Sequence, residues 1–174
     1  MTRLLSIALA FLLAPAAAQA QGADSKLHAG ALAAVERVKK VDPGTDKFFK
    51  ESAGYVVFPT VSKVGFIVGG GHGEGELFEG GKATGTATLT LGNIGLQAGA
   101  QEYSEIIFFQ DAAALARFKQ NKFEFDASSS AVFAKAGVSK SMNYRNGVAV
   151  VIHSTGGAMA EAAVGGQKFK YKGQ

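Results

Sequence analysis

Cysteine is absent from this 174-residue chain, so no disulfide supports the fold and no thiol can accept a lipid anchor. Histidine is scarce. His28, His72 and His153 are the only three, and no two stand at the four-residue helical spacing of a zinc motif. No G-x-S-x-G elbow offers an activated serine. His72 beside Glu74 and Glu76 is a weak metal grouping, so neither a metal nor any other cofactor is expected. Carboxylates that meet only in three dimensions leave a hydrolase open, but nothing in the pattern favours one. The lack of an activated group argues against an enzyme. Charge of one sign is also in short supply: 18 Lys+Arg stand against 14 Asp+Glu. So small an excess attracts anions only where it is clustered. Lys39-Lys40 and the lysines between 135 and 140 are too dilute to suggest nucleic acid.

Long hydrophobic runs are missing too, with one exception. Leu4 to Ala14 is almost unbroken hydrocarbon, follows Arg3, and leads through Pro15 to Ala18-Gln19-Ala20. A basic start, a short apolar stretch and an A-x-A site make a secretory signal, too short to span a ~30 Å hydrocarbon core comfortably. Residues 1–20 are therefore expected to be removed, leaving one domain over 21–174. The product is expected to be periplasmic or secreted, meeting any membrane reversibly through its surface.

Glycine is what the chain has in excess, with 23 residues in 174 against a usual ~7%. The glycines fall within apolar and threonine-rich segments, a pattern suited to bent or closely packed strands. Gly69 to Gly75 invites a nucleotide-binding reading, but Glu76 stands where the third glycine of the dinucleotide motif belongs. Gly80-Gly81-Lys82 lacks a Ser or Thr at 83. The run is read instead as a structural turn or bulged hairpin.

Residues 24–41 read as a helix, capped by Asp24 or Ser25 and stopped by Asp42-Pro43-Gly44. Leu27, Ala31, Ala34, Val35, Val38 and Val41 form its apolar stripe. Lys26, Arg37 and Lys40 gather opposite, with Lys39 at the flank. A helical turn follows at 45–52. Tyr55 to Phe58 reads as a strand ended by Pro59, and Val64 to Val68 as another. Thr84, Thr86, Thr88 and Thr90 alternate with apolar or small residues at the period of a half-buried strand, and Ile94 to Ala100 repeats the pattern. Ile106 to Phe109 is a short apolar strand. Asp111 caps a helix reaching about Asn121, with Leu115 and Phe118 inward. Phe123, Phe125, Val132 and Val148 to Ile152 mark further strands. Thr155-Gly156-Gly157 and Gly165-Gly166 mark turns, and Gln167 to Lys172 is the last strand. The fold class expected is α+β: a glycine-rich, strongly curved antiparallel sheet or barrel with an N-terminal amphipathic helix and one internal helix.

Two basic features remain. The 24–41 helix could lay its stripe on a lipid interface with its cations on phosphate, or could equally be a packing helix with a solvated polar face. On the last strand Lys168, Lys170 and Lys172 share one face, opposite Phe169 and Tyr171. They form either a headgroup contact or a lysine guard on an edge strand.

The order Ala53-Gly54-Tyr55-Val56-Val57-Phe58-Pro59, then Lys63-Val64-Gly65-Phe66 and the glycine run to Gly75, resembles the SYLF lipid-binding domain family. The likeness continues through Gly95 to Gln101, Ile106 to Phe109, Leu115 and Phe118, Gly156 to Ala162 and Gly165 to Phe169. The resemblance implies a non-enzymatic domain that binds anionic phospholipid. Eukaryotic members are described as using a basic amphipathic N-terminal helix, matched here by Lys26, Arg37, Lys39 and Lys40, to bind phosphoinositides, and some bind actin. An export signal and the lack of an attached SH3 domain set this chain apart, so the liking for acidic headgroups transfers but the exact ligand does not. The expected partner is an anionic phospholipid or membrane surface, met by Lys26, Arg37, Lys39, Lys40, Lys168, Lys170 and Lys172. The alternative is an envelope structural or assembly protein that binds another protein through its β surface.

Overall fold

The computed structural model describes residues 16–65, 68–94, 99–121, 124–126, 131–154 and 166–173. Its helices are α1 (Ala16–Val41), α2 (Asp46–Glu51) and α3 (Ala112–Lys119). The strands are β1 (Gly54–Gly65), β2 (Val68–Glu79), β3 (Lys82–Ile94), β4 (Gly99–Phe109), β5 (Glu124–Asp126), β6 (Ala131–Phe133), β7 (Val148–Ser154) and β8 (Gly166–Gly173). They form one sheet in the order β5-β8-β3-β2-β1-β4-β7-β6. The expected α+β class holds, but two details change. β6 pairs parallel with β7, and among the described residues the sheet is open rather than a closed barrel.

The sheet is nonetheless strongly curled. Four strand spacings separate β4 from β8, ~19 Å along a flat sheet, yet Gln167 Nε2 on β8 donates to Glu105 Oε2 on β4 at 2.9 Å. Glycine makes this curl possible. On the concave side of β2, a Cβ at Gly75 would fall 2.6 Å from the Phe58 ring and one at Gly71 2.6 Å from Leu91. A strand with side chains there could not bend so tightly. Of the two readings of the run, a turn or a bulged hairpin, the turn is excluded: it lies in a central strand paired antiparallel along its length with β1 and β3, with a register shift just beyond it at Leu77 and Phe78.

Pro59 does not end its strand. β1 runs on to Gly65, and the proline sits in an irregularity where the register shifts between Val57 and Thr60. A bulge is where a residue without an N–H is tolerated. The shift also carries Thr60 and Ser62 to the convex face. Val64 closes β1 and Val68 opens β2, while Ile106 to Phe109 is the end of β4 rather than a strand of its own. The turn expected at 155–157 lies outside the described residues. Gly166 opens β8.

Both faces of the sheet are covered. The concave core holds Val56, Phe58, Leu77, Leu89, Ile107, Phe109, Ile152 and Phe169, closed by Leu115 and Phe118 of α3. Asp111 caps α3 as expected, its carboxylate accepting from Ala114 N at 2.8 Å. The convex core holds Val57, Phe78, Ile106, Phe108, Ala149 and Val151 beneath α1 and α2. Ala31, Ala34, Val35 and Val38 of α1 are all buried against it, Val38 to 1% exposure. The helix has no cap at Asp24 or Ser25, since it continues unbroken from Ala16. It stops at Val41 as expected, where Asp42 accepts from Gly44 N at 3.0 Å and from Ser139 N at 2.7 Å. Those bonds hold the Asp42 carboxyl below its ordinary pKa, with the Ser139 backbone contributing most.

Glu105 is the unexpected member of the concave core. It is wholly buried, as is Gln167. Glu105 Oε1 and Gln167 Oε1 both lack a hydrogen-bond donor. Burial pushes the Glu105 pKa up to about 8, against the smaller opposite pull of Gln167. At neutral pH this side chain is a carboxylic acid, and its proton is the donor the pair otherwise lacks.

Candidate functional site

α1 covers only part of the convex face. Past its N-terminal half, β2, β3 and β8 present three side-by-side columns fixed by register. Lys168, Lys170 and Lys172 stand opposite Thr90, Thr88 and Thr86. Those threonines stand opposite His72, Glu74 and Glu76. The period-two alternation that buries Leu89 and Phe169 on the concave side turns every one of these groups outward. On β1 the row continues with Thr60 opposite Glu74 and Ser62 opposite His72.

The edge of α1 and these columns enclose a groove of three adjoining cavities. The largest, about 500 Å³, is lined by Lys26, Leu27, Pro59, Thr60, Ser62, His72 and Glu74. The second, about 190 Å³, is lined by Asp24, Leu27, Glu76, Thr86 and Lys172. The third, about 120 Å³, lies between Asp24, Glu74, Thr86 and Thr88. Leu27 borders all three. His28 pins the helix at this point. Its Nδ1 lies 2.8 Å from Glu76 Oε2, and its ring stacks on Phe78 at 6.1 Å. Gly30 permits the close approach, since a Cβ there would meet Pro59 at 3.2 Å.

The seven expected cations fall into two groups. Lys26 and Lys172 line the groove, with Lys170 and Lys168 continuing their column. Lys168 also stands opposite Glu124 of β5, so β8 is the second strand in rather than the edge. Arg37, Lys39 and Lys40 lie three to four helical turns further along α1, about 16–21 Å away. Lys39 is committed elsewhere, to Asp46 at 3.0 Å and to the Phe49 ring at 4.9 Å. Arg37 is half-buried, with an unpartnered Nε. It lies near His153, whose pKa falls through burial and then through the Arg37 charge. Lys40 is exposed.

This geometry selects the packing role from the two readings open to α1. The apolar stripe of α1 is used in packing, so it cannot enter a lipid interface while the helix is docked. The lysine column faces a carboxylate-bearing column across one row of threonines. Asp24, Thr86, Thr88 and His28 are not site candidates from the sequence, and Glu74 is one only as part of the weak metal grouping with His72 and Glu76. Their signal was the alternation of His72, Glu74 and Glu76 within the glycine run, in step with the threonines that follow. Among the described residues no three His, Asp or Glu side chains are placed to hold a metal ion. No helix among them is long and apolar enough to cross a membrane.

Residues 90–173, from the second half of β3 through β8, match the Ysc84 family, described as Las17-binding protein actin regulator. Over this stretch the chain is similar to that family, in agreement with the SYLF resemblance of its motifs. No curated protein matches the chain significantly. The matched part supplies the lysine column and one of the three threonines facing it, Thr90. α1, β1, β2 and the first part of β3, with Thr86 and Thr88, complete the groove from outside it.

Proposed function

We propose that this protein is an exported, non-enzymatic SYLF-like module that binds phospholipid headgroups reversibly, anionic ones above all, through basic surface residues after loss of residues 1–20. The observation that carries the reading is the exposed column of Lys168, Lys170 and Lys172 beside a groove bordered by Lys26. Phosphate oxygens are met by these ammonium groups and by the hydroxyls of Thr86, Thr88 and Thr90. Each cation near an anionic surface adds about 1 kcal/mol, so affinity comes from several together and weakens with salt. Because the α1 stripe is buried, binding is electrostatic and leaves the helix docked.

Sedimentation with phosphatidylglycerol-containing vesicles against pure phosphatidylcholine tests the reading. The expected result is salt-sensitive recovery with the anionic vesicles, lost in a Lys26→Gln, Lys168→Gln, Lys170→Gln, Lys172→Gln variant. Equal recovery with both vesicle types at all salt concentrations rules it out. The family's description names a protein-binding activity, which favours attachment to another envelope protein as the second reading. A vesicle null together with a stable co-purifying envelope partner would select it.

A further inference from the structure

The groove beside α1 carries both signs of charge, and its charges do not neutralise one another. Asp24, Lys26, Glu74 and Lys172 all border its cavities. Among the described residues the ion pairs join His28 with Glu76, Lys39 and Lys50 with Asp46, and Lys119 with Glu79. Among the described residues none of the four groove charges is in an ion pair. Opposite charges left apart in one groove, with hydroxyls of Thr60, Thr86 and Thr88 between them, leave room for a ligand that carries both complementary charges itself. A purely anionic group satisfies the lysines but is repelled by Glu74 and Asp24.

We infer that the groove takes an amine-bearing phosphate, the phosphoethanolamine class, with its primary ammonium on Glu74 and Asp24, which line one cavity together, and its phosphate on a flanking lysine, Lys26 or Lys172. The inference rests on the headgroup reading above and narrows it. Threonine hydroxyls supply further donors to the phosphate. Charge-assisted hydrogen bonds from the ammonium to two carboxylates separate this group from phosphocholine, whose quaternary nitrogen has no proton to donate. Leu27 and Pro59 give the two-carbon link an apolar wall.

The test uses three vesicle sets, phosphatidylcholine alone and mixed with either phosphatidylethanolamine or phosphatidylglycerol. Each is sedimented with the wild-type protein and with an Asp24→Asn, Glu74→Gln variant. Both residues are exposed, so the variant is expected to fold. The expected result is wild-type recovery with phosphatidylethanolamine about tenfold above phosphatidylcholine. The variant should lose that margin while binding phosphatidylglycerol as well as before or better. Competition by soluble O-phosphoethanolamine, stronger than by inorganic phosphate, separates a free ligand from a lipid surface. Equal binding of phosphatidylethanolamine and phosphatidylcholine, or a margin unchanged in the variant, overturns the inference. If phosphatidylglycerol binding survives in that case, the general headgroup reading stands. If no vesicle is bound, both fall.

Discussion

Glu105 gives a sharp physical test of the fold, because its protonation state is tied to the curl of the sheet. Its carboxyl is wholly buried and titrates at about 8 in the folded protein, against 4.5 for an ordinary glutamate. The folded state therefore keeps a proton that the unfolded chain releases above pH 4.5, so this group favours folding most at acid pH. Its contribution is complete below pH 4.5, declines by about 1.4 kcal/mol per pH unit above that, and is gone once the pH passes 8. Between pH 5 and pH 8 the loss is about 3.5 kcal/mol, a large share of the roughly 5–15 kcal/mol that holds a domain together. The assay is urea denaturation at several pH values for the wild type and Glu105→Gln. The variant keeps the size and a hydrogen bond to Gln167 but cannot ionise. The difference in stability between the two proteins should shift by about 3.5 kcal/mol toward the variant across this range. Histidine titrations common to both proteins cancel in that difference. Parallel curves for the two proteins would show that Glu105 carries no buried proton and that the acid–amide pair is misassigned.

Other expectations are read from single substitutions. Gly75→Ala should destabilise by about 1–3 kcal/mol, as an added methyl is forced against the Phe58 ring. Gly92→Ala, with open space around it, should change the melting temperature little. Phe108→Ala should cost about 3–5 kcal/mol, because Phe108 is wholly buried under α2. Leu32→Ala, on the exposed back of α1 at 45% exposure, should stay within about 0.5 kcal/mol by the same urea titration. Asp42→Ala should lower stability at neutral pH. The wild-type advantage should hold above the ordinary aspartate pKa and vanish as the pH falls through the lowered folded value. In vesicle binding, Lys39→Gln should weaken recovery less than Lys172→Gln, since Lys39 already serves Asp46.

Local pattern made much of this structure legible. The threonine alternation of β3, the Asp111 cap of α3, the stop at Asp42-Pro43 and the α1 stripe each depend on a few neighbouring residues, and each is where periodicity placed it. The glycine run is legible as bent, closely packed chain but not as a central strand, because glycine disfavours an ordinary strand and the reason to accept that cost is visible only where Phe58 and Leu91 crowd the concave side. The Asp24 cap failed because the backbone of α1 continues to Ala16. The site was half legible. The lysines of β8 share a face by simple alternation, but Glu74 and Asp24 joined them only through strand pairing and the docking of α1.

The chain alone therefore determined the α+β class, the helical and strand periods, the two lysine-bearing elements and the family that residues 90–173 resemble. These follow from interactions between residues close together in sequence. Tertiary structure decided which apolar stripe was consumed in packing, which cations stayed available and which carboxylates stood beside them. It also buried Glu105 against Gln167, 62 residues away. Curling the sheet brings distant groups within hydrogen-bonding reach and removes water from between them, and neither effect is encoded at any one position.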